Sequence, residues 1–229
     1  EQYPENLPFF HRKYYQFFFP KYAKLCDKII TVSNYSKEDI SNKYNISKNK
    51  ISVIYNGVSE LFFPINNIEK TKIKNQFSSG FDYFIFIGSI HKRKNITNLL
   101  KGYELFKKRT KSETRLLIVG KKRWWSKKMK ITYENMVFKN DVLFTGYIKE
   151  NMLPKVLGSA KGLCLISLFE GFGLPIIEAM KCGVPVITSN KSSMPEICDN
   201  AGITVSPDNI FEISMAIQKI DTDKLLRTK

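Results

Sequence analysis

The chain has 229 residues, 43% of them hydrophobic, with 37 Lys and Arg against 21 Asp and Glu and a formal net charge of +16. Its length exceeds one usual domain and falls short of two, so a whole domain joined to part of another is expected. The apolar content supplies a core, while no run approaches the about 18 consecutive apolar residues of a membrane span, GLCLISLF being among the longest, and a soluble protein is expected.

Taken in chain order, short apolar runs alternate with helical patterns. The opening LPFFHRKYYQFFFPKYAKLC mixes aromatic and basic residues; DKIITVS reads as a strand, YSKEDISNKY as a helix and KISVIYNG as a second strand. A polar connection, INNIEKTKIKNQFSSG, follows. Next come the strands FDYFIFIGS, RLLIVG, DVLFTGY, GLCLISLF, VPVITSN and ITVSP, each with a helical pattern behind it, the last being DNIFEISMAIQKI. Their hydrophobicity is continuous rather than alternating, which means burial on both faces. With helices between them, this predicts a parallel, doubly wound, Rossmann-like α/β sheet. The two strands before residue 60 are too few for a second domain of this kind, so residues 1–70 read as the end of a preceding α/β domain, with residues 71–229 forming the main one. The chain opens on Glu1 without a basic-then-apolar leader and stops in the helical string DTDKLLRTK, so a piece of a longer protein, truncated at its C-terminus, is expected.

Residues 91–130 hold 15 basic and 2 acidic side chains. Two readings stand: a compositional bias toward Lys, Ile and Asn, or a surface that attracts phosphates, anionic lipid or nucleic acid. No RNP-like or helix-turn-helix pattern accompanies the charge, so no nucleic-acid partner is expected. Cys26, Cys164, Cys182 and Cys198 lack metal or disulfide spacing, which predicts reduced, mostly buried thiols and a cytoplasmic protein.

In such sheets ligands sit beyond the carboxyl ends of the strands. The loops placed there are GSIHKRKN, GKKRWW, TGYIKE, SLFEGFGLP and TSNKSSMPE: a cluster of positive charge, backbone-exposing glycines and carboxylates. In FEGFGLPIIEAM, Glu170 falls at a strand end and Glu178 about one turn into the following helix, whose first position is assigned to Pro175. The exposed N–H groups expected of Gly171, Phe172, Gly173 and Leu174 at the positive helix end suit a phosphate, and a carboxylate beside them suits paired hydroxyls. The plainer reading makes Glu178 a helix-dipole residue and the glycines turn formers.

The string EGFGLPIIEAM resembles the E-x7-E signature of the group 1, or family 4, retaining glycosyltransferases of GT-B fold. FIFIGSIHKRKNITNLL is similar to their phosphate-binding loop, VLFTGYI to their base-facing strand, and GVPVITSNKSSMPEICDNAGITVSP to the closing strand and turn. CDKIITVSNYSKEDI and ISVIYNGVSELFFP resemble the end of their first domain and its linker.

The resemblance implies that Glu178 binds the ribose diol of a nucleotide sugar and that Glu170 contacts the sugar near the reacting carbon. It implies that the amides of 171–174 hold sugar and diphosphate, and that Lys94, assisted by Arg93, neutralises the departing diphosphate. Gly88 and Ser89 form the phosphate loop, with Ser89 standing where the family often has arginine. Gly146, Tyr147 and Ile148 border the base, although Tyr147 as a plain core aromatic is an equal reading, and Lys121 reaches toward the nucleotide. Trp124 and Trp125 are expected to be packing residues, and His91 a hydrogen-bonding loop residue. The donor is a GDP-, UDP- or ADP-sugar, and the acceptor a glycan or a lipid-linked glycan. No cofactor or metal is expected, and the Asp221–Asp223 triplet is read as incidental. Acceptor-side groups belong to a missing first half, so the fragment alone is expected to be inactive. For the opening aromatic segment two readings remain, peripheral contact with an anionic membrane at its inner face or burial against that half. A nucleotide-sugar epimerase or another enzyme of the same fold is the alternative function.

Overall fold

A computed structural model describes residues 8–122 and 125–223, and the chain divides into two compact units, Glu1–Asn56 and Gly57–Lys229. The first contains helix α1 (Phe9–Leu25), strand β1 (Ile29–Thr31), helix α2 (Asn34–Tyr44) and strand β2 (Ile51–Val53), the strands paired in parallel. Ser33 starts α2 by accepting the Ser36 N–H on its hydroxyl at 3.0 Å, and Asn45 ends it in the left-handed region at φ 53°. Helix α1 buries none of its residues, and Phe10 and Leu25 are 82% and 81% exposed.

In the second unit strands and helices alternate as the sequence predicts, except that the expected polar connection INNIEKTKIKNQFSSG forms a helix, started by Asn66, whose side chain accepts the Glu69 N–H. They are α3 (Asn67–Ser78), β3 (Tyr83–Ile87), α4 (Ile96–Thr110), β4 (Arg115–Val119), α5 (Lys127–Glu134), β5 (Val142–Gly146), α6 (Leu153–Gly158), β6 (Gly162–Leu165), α7 (Leu174–Lys181), β7 (Val186–Ser189), α8 (Met194–Cys198), β8 (Ile203–Val205) and α9 (Ile210–Thr222). All six strands are parallel, in the order β5-β4-β3-β6-β7-β8. The chain therefore builds outward from β3 through β4 to β5, then returns to lay β6 on the other side of β3. That reversal makes β3/β6 the switch point, where diverging connections leave a crevice above the strand ends.

Strand β3 is the centre of the core: Tyr83, Phe84, Ile85 and Phe86 are wholly buried, each contributing on the order of 2 kcal/mol by leaving water. Its polar end is also satisfied, since the Tyr83 hydroxyl donates to the Val156 carbonyl at 2.6 Å. Helices α4 and α9 meet closely at Gly102, where a Cβ would lie 2.4 Å from Ile213 Cγ2.

The division at Asn56/Gly57 lies earlier than the expected one at residue 70. Residues 57–70 hold Phe62 and Ile65, both buried, and the start of α3, which Glu69 ties to Lys155 at 2.6 Å. Polar composition makes that segment look like a linker, but its few apolar side chains are spent inside the second unit. Helix α7 starts one residue before the assigned position, so Pro175 is its second residue. Cys164, Cys182 and Cys198 are buried and Cys26 is exposed, all as free thiols.

Candidate functional site

The carboxyl end of β3 runs into Gly88 and a loop that closes in a single 3₁₀ turn, Lys92–Lys94. His91 caps that turn by accepting the Arg93 N–H on Nδ1 at 3.2 Å, the loop role expected of it. Asn95 follows in the left-handed conformation, which asparagine tolerates, and its buried side-chain amide donates to the Pro207 carbonyl at 2.7 Å. The three-residue cationic turn is thus anchored at both ends, with Lys92 exposed and Arg93 and Lys94 half-buried.

Across the switch point, the loop after β6 brings Glu170 to the same place. Lys94 Nζ lies 2.6 Å from Glu170 Oε1, and Arg93 Nη1 lies 2.8 Å from Oε2 and 2.5 Å from the Phe169 carbonyl. Ser167 donates to Oε1 at 2.6 Å. Glu170 is only 7% exposed, so it is a buried carboxylate satisfied by two cations and a hydroxyl. Burial alone would push its pKa up, but the charges of Lys94 and Arg93, with the Lys94 and Ser167 hydrogen bonds, outweigh it and hold the group below the ordinary glutamate range.

Glu178, on the second turn of α7, has a different environment. Among the described residues its carboxylate forms no ion pair or hydrogen bond, and burial raises its pKa. The two acids therefore act on stability with opposite sign. Glu170 adds stability that is present above the unfolded carboxylate pKa and is lost as pH falls through its lowered value, whereas ionisation of Glu178 opposes the fold as pH rises through its raised value.

Beside the ionic cluster a cleft of about 360 Å³ opens over the ends of β3, β4 and β5. Gly88, Ser89, Lys121, Tyr147 and Ile148 line it, together with Ile87, Val119, Gly120 and Leu153. Gly88 joins cleft to cluster: a Cβ there would lie 3.3 Å from Lys94 Cε and 3.5 Å from Nζ. Three backbone bonds lace the strand ends, Gly88 N–H to Val119 O at 2.9 Å, Ile90 N–H to Lys121 O at 3.3 Å and Gly120 N–H to Gly146 O at 2.8 Å. Gly146 turns away at φ 71° with open space around its Cα.

Tyr147 is 64% exposed with Lys121 Nζ 5.6 Å from its ring, which sets aside the reading of a core aromatic. Trp125 packs against Tyr133 and Phe144 as expected, and Trp124 lies outside the described residues. At the start of α7, Gly173 is the N-cap at φ 99°, Phe172 is buried and Leu174 is exposed. Glu178 and the residues from Gly171 to Leu174 do not line the cleft; they lie on the loop that follows Glu170 and on helix α7. Asp221 of the DTD triplet is held by Lys161 at 2.6 Å and by the Thr114 hydroxyl at 2.7 Å, at the opposite, amino end of the strands.

Gly120 and the serines around Glu170 were missed by the sequence reading. Gly120 carried a signal, standing where a strand passes into GKK, as Gly88 stands in GSI. The serines stand in ISLFE and TSNKSS without a periodic or spacing cue.

The fold and the site define a Rossmann-like protein whose switch point holds two cations, a buried carboxylate and an adjoining cleft. Residues 67–229 match the model of the glycosyl transferases group 1 family and residues 2–60 that of glycosyltransferase family 4, and the chain belongs to the group 1 glycosyl transferases. It is 31% identical over 219 residues to the O-antigen chain mannosyltransferase RfbU of Salmonella typhimurium, covering 96% of this chain and 57% of that protein. It is 36% identical over 124 residues to O-antigen chain mannosyltransferase B of Escherichia coli, covering 54% of this chain and 32% of that one. Among solved structures it resembles Anabaena Alr3699/HepE, crystallised with UDP and glucose, with a TM-score of 0.80, 18% identity and coverage of 90% and 56%. The chain thus spans about a third to three-fifths of these proteins. The α/β sheet of a GT-B half, expected from the sequence, is the fold it has.

Proposed function

We propose that this chain is the donor-binding half of a metal-independent glycosyltransferase. It moves a sugar from a nucleotide sugar to a glycan or lipid-linked acceptor with retention of configuration, in cell-surface polysaccharide or lipopolysaccharide synthesis. The observation that carries the reading is the meeting of Lys94, Arg93 and Glu170 across the β3/β6 switch point, beside a cleft. The names of the O-antigen relatives favour a mannosyl group.

The base occupies the cleft near Lys121, Tyr147 and Ile148, and the ribose diol donates to the Glu178 carboxylate, whose oxygens have no other partner among the described residues. The diphosphate lies over Gly88, Ser89 and the amides of residues 171–174, and Glu170 accepts from sugar hydroxyls. As the bond from the anomeric carbon to the phosphate oxygen breaks, its electron pair stays on that oxygen, and Lys94 and Arg93 stabilise the growing charge. The acceptor oxygen bonds to the anomeric carbon from the same face and passes its proton to the departing phosphate. Acceptor binding is assigned to a first half beyond this chain, so the chain alone binds donor without turnover.

Isothermal titration with GDP-mannose, UDP-glucose and ADP-glucose tests the site. One of them should bind, with affinity that falls as pH drops through the raised pKa of Glu178, and Glu178→Gln should weaken binding by about tenfold and flatten the pH dependence. No binding by any of the three, with RNA bound instead and steeply salt-dependent, would sink the proposal.

A cytoplasmic site of action at the inner membrane face belongs to the same proposal. Among the described residues no helix is long and apolar enough to cross a membrane. Helix α1 exposes Phe9, Phe10 and Phe17 beside Arg12, Lys13 and Lys21, with Lys21 Nζ 3.6 Å over the Phe17 ring, which suits an anionic headgroup layer. Sedimentation with vesicles containing phosphatidylglycerol should carry the protein down at low salt, and Lys13→Glu with Lys21→Glu should release it. Recovery of all the protein in the supernatant contradicts the membrane contact and leaves α1 as a face for the missing half.

A further inference from the structure

The loop between β7 and α8 grips Glu170 by its main chain. Ser192 Oγ accepts the Glu170 N–H at 3.0 Å, and Ser193 Oγ lies 2.9 Å from the Glu170 carbonyl and 3.0 Å from that of Phe172. Ser193 is wholly buried, so its hydroxyl proton is shared between two carbonyl oxygens in a site that water does not reach. Ser192 stands in the left-handed region at φ 52°, a conformation that residues with a side chain rarely adopt. Strain of that kind persists only where surrounding contacts hold it, and here the backbone turn delivers two consecutive hydroxyls to the N–H and the carbonyl of one residue, in successive peptide units.

We infer that Ser192 and Ser193 are positioning residues for the sugar-diphosphate subsite. They act through the loop that carries Glu170 and the amides of residues 171–174, and the inference rests on the donor site proposed above. Three serines divide the work. Ser167 sets the Glu170 carboxylate from within the same loop, while the other two, more than twenty residues further along the chain, set its peptide. With the peptide units on both sides of the Glu170 Cα held, the carboxylate meets Lys94 and Arg93 and the following N–H groups keep one direction. Without the hydroxyls, the loop keeps its sequence and charge but not its aim. Positioning of this kind acts on the sugar and diphosphate and leaves the base cleft, built from the ends of β3, β4 and β5, unaffected.

Whichever of GDP-mannose, UDP-glucose and ADP-glucose the 229-residue chain binds is titrated beside its own nucleoside monophosphate. In Ser193→Ala the sugar nucleotide should bind roughly tenfold more weakly, as expected when a buried acceptor loses its donor, while the monophosphate stays within about twofold. Ser192→Gly removes the other hydroxyl and relieves the left-handed strain at once, so an equal selective loss in that variant isolates the hydrogen bond from the backbone. Ser193→Thr, which keeps the hydroxyl, should restore most of the affinity. Amide hydrogen exchange supplies an independent readout: exchange at residues 171–174 should quicken about tenfold in Ser193→Ala with that of residues 84–87 unchanged. Equal weakening of both ligands, or faster exchange throughout, overturns the inference in favour of a general structural role. An unsubstituted chain that binds none of the three sugar nucleotides overturns the donor site and the inference with it. Normal binding by the unsubstituted chain and by both hydroxyl-deleted variants overturns the inference alone.

Discussion

Gly120→Ala is expected to lower the melting temperature by about 10 °C or more, corresponding to a loss of about 4 kcal/mol, and to close the cleft. An added methyl would stand 1.9 Å from the Gly88 carbonyl oxygen and 2.7 Å from its carbon, at a φ of +148° that suits glycine. Neither partner can retreat cheaply. Gly88 is bonded through its N–H to Val119, Gly120 through its own to Gly146, and moving either peels β3, β4 and β5 apart at the rim of the cleft. Gly146→Ala is the control. Its φ is also positive at +71°, but nothing lies within 4 Å of the added carbon, so only the conformational cost of on the order of 1–2 kcal/mol applies. Thermal melts of both variants decide the matter: equal shifts would mean that the close approach of Gly88 and Gly120 does not constrain the fold.

The second large effect belongs to Lys94→Ala. Glu170 would remain buried and ionised with Arg93 and Ser167 only, and breaking a buried pair from one side costs about 3 kcal/mol or more. Loss of the lysine also removes the cation nearest Gly88, so sugar-nucleotide affinity should fall by about a hundredfold. In the complete glycosyltransferase, turnover should fall by a further factor on the order of 10²–10³. Pairing Lys94→Met with Glu170→Gln separates the two roles. Neutralising both should recover part of the stability, because no carboxylate is left buried without its lysine and the half-buried Arg93 keeps the Phe169 carbonyl as an acceptor, while nucleotide-sugar binding stays lost. Were the double variant to bind like the unsubstituted chain, the cluster would be structural and the proposed chemistry would have to be sited elsewhere.

The expected sheet could be read from sequence because both of its causes are local. Continuous apolar runs such as YFIFI and RLLIV become strands buried on both sides, and the glycines and polar residues after them end each strand where a connection must turn. The grouping of the strand-end loops followed from topology, since parallel strands place their carboxyl ends on one edge. Lys121, Tyr147, Gly88 and Ser89 therefore meet in one cleft although Tyr147 stands fifty-nine positions after Gly88. The unit boundary was less legible. Residues 57–70 are polar on average, and only Phe62 and Ile65, seated in the second unit, show which side they belong to.

Composition and pattern alone thus determined a parallel α/β sheet, the family resemblance, and the set of charged and glycine residues gathered at one edge. Tertiary structure decided how those residues divide. Lys94 and Arg93 both close on Glu170, Glu178 stays apart with a raised pKa, and the aromatic Tyr147 faces outward. It alone also placed Ser192 and Ser193 on the Glu170 peptide. The physical reason is range: strand and helix preferences act over a few residues and leave a periodic trace, whereas a hydrogen bond or ion pair acts over about 3 Å of space between residues remote in the chain and leaves none.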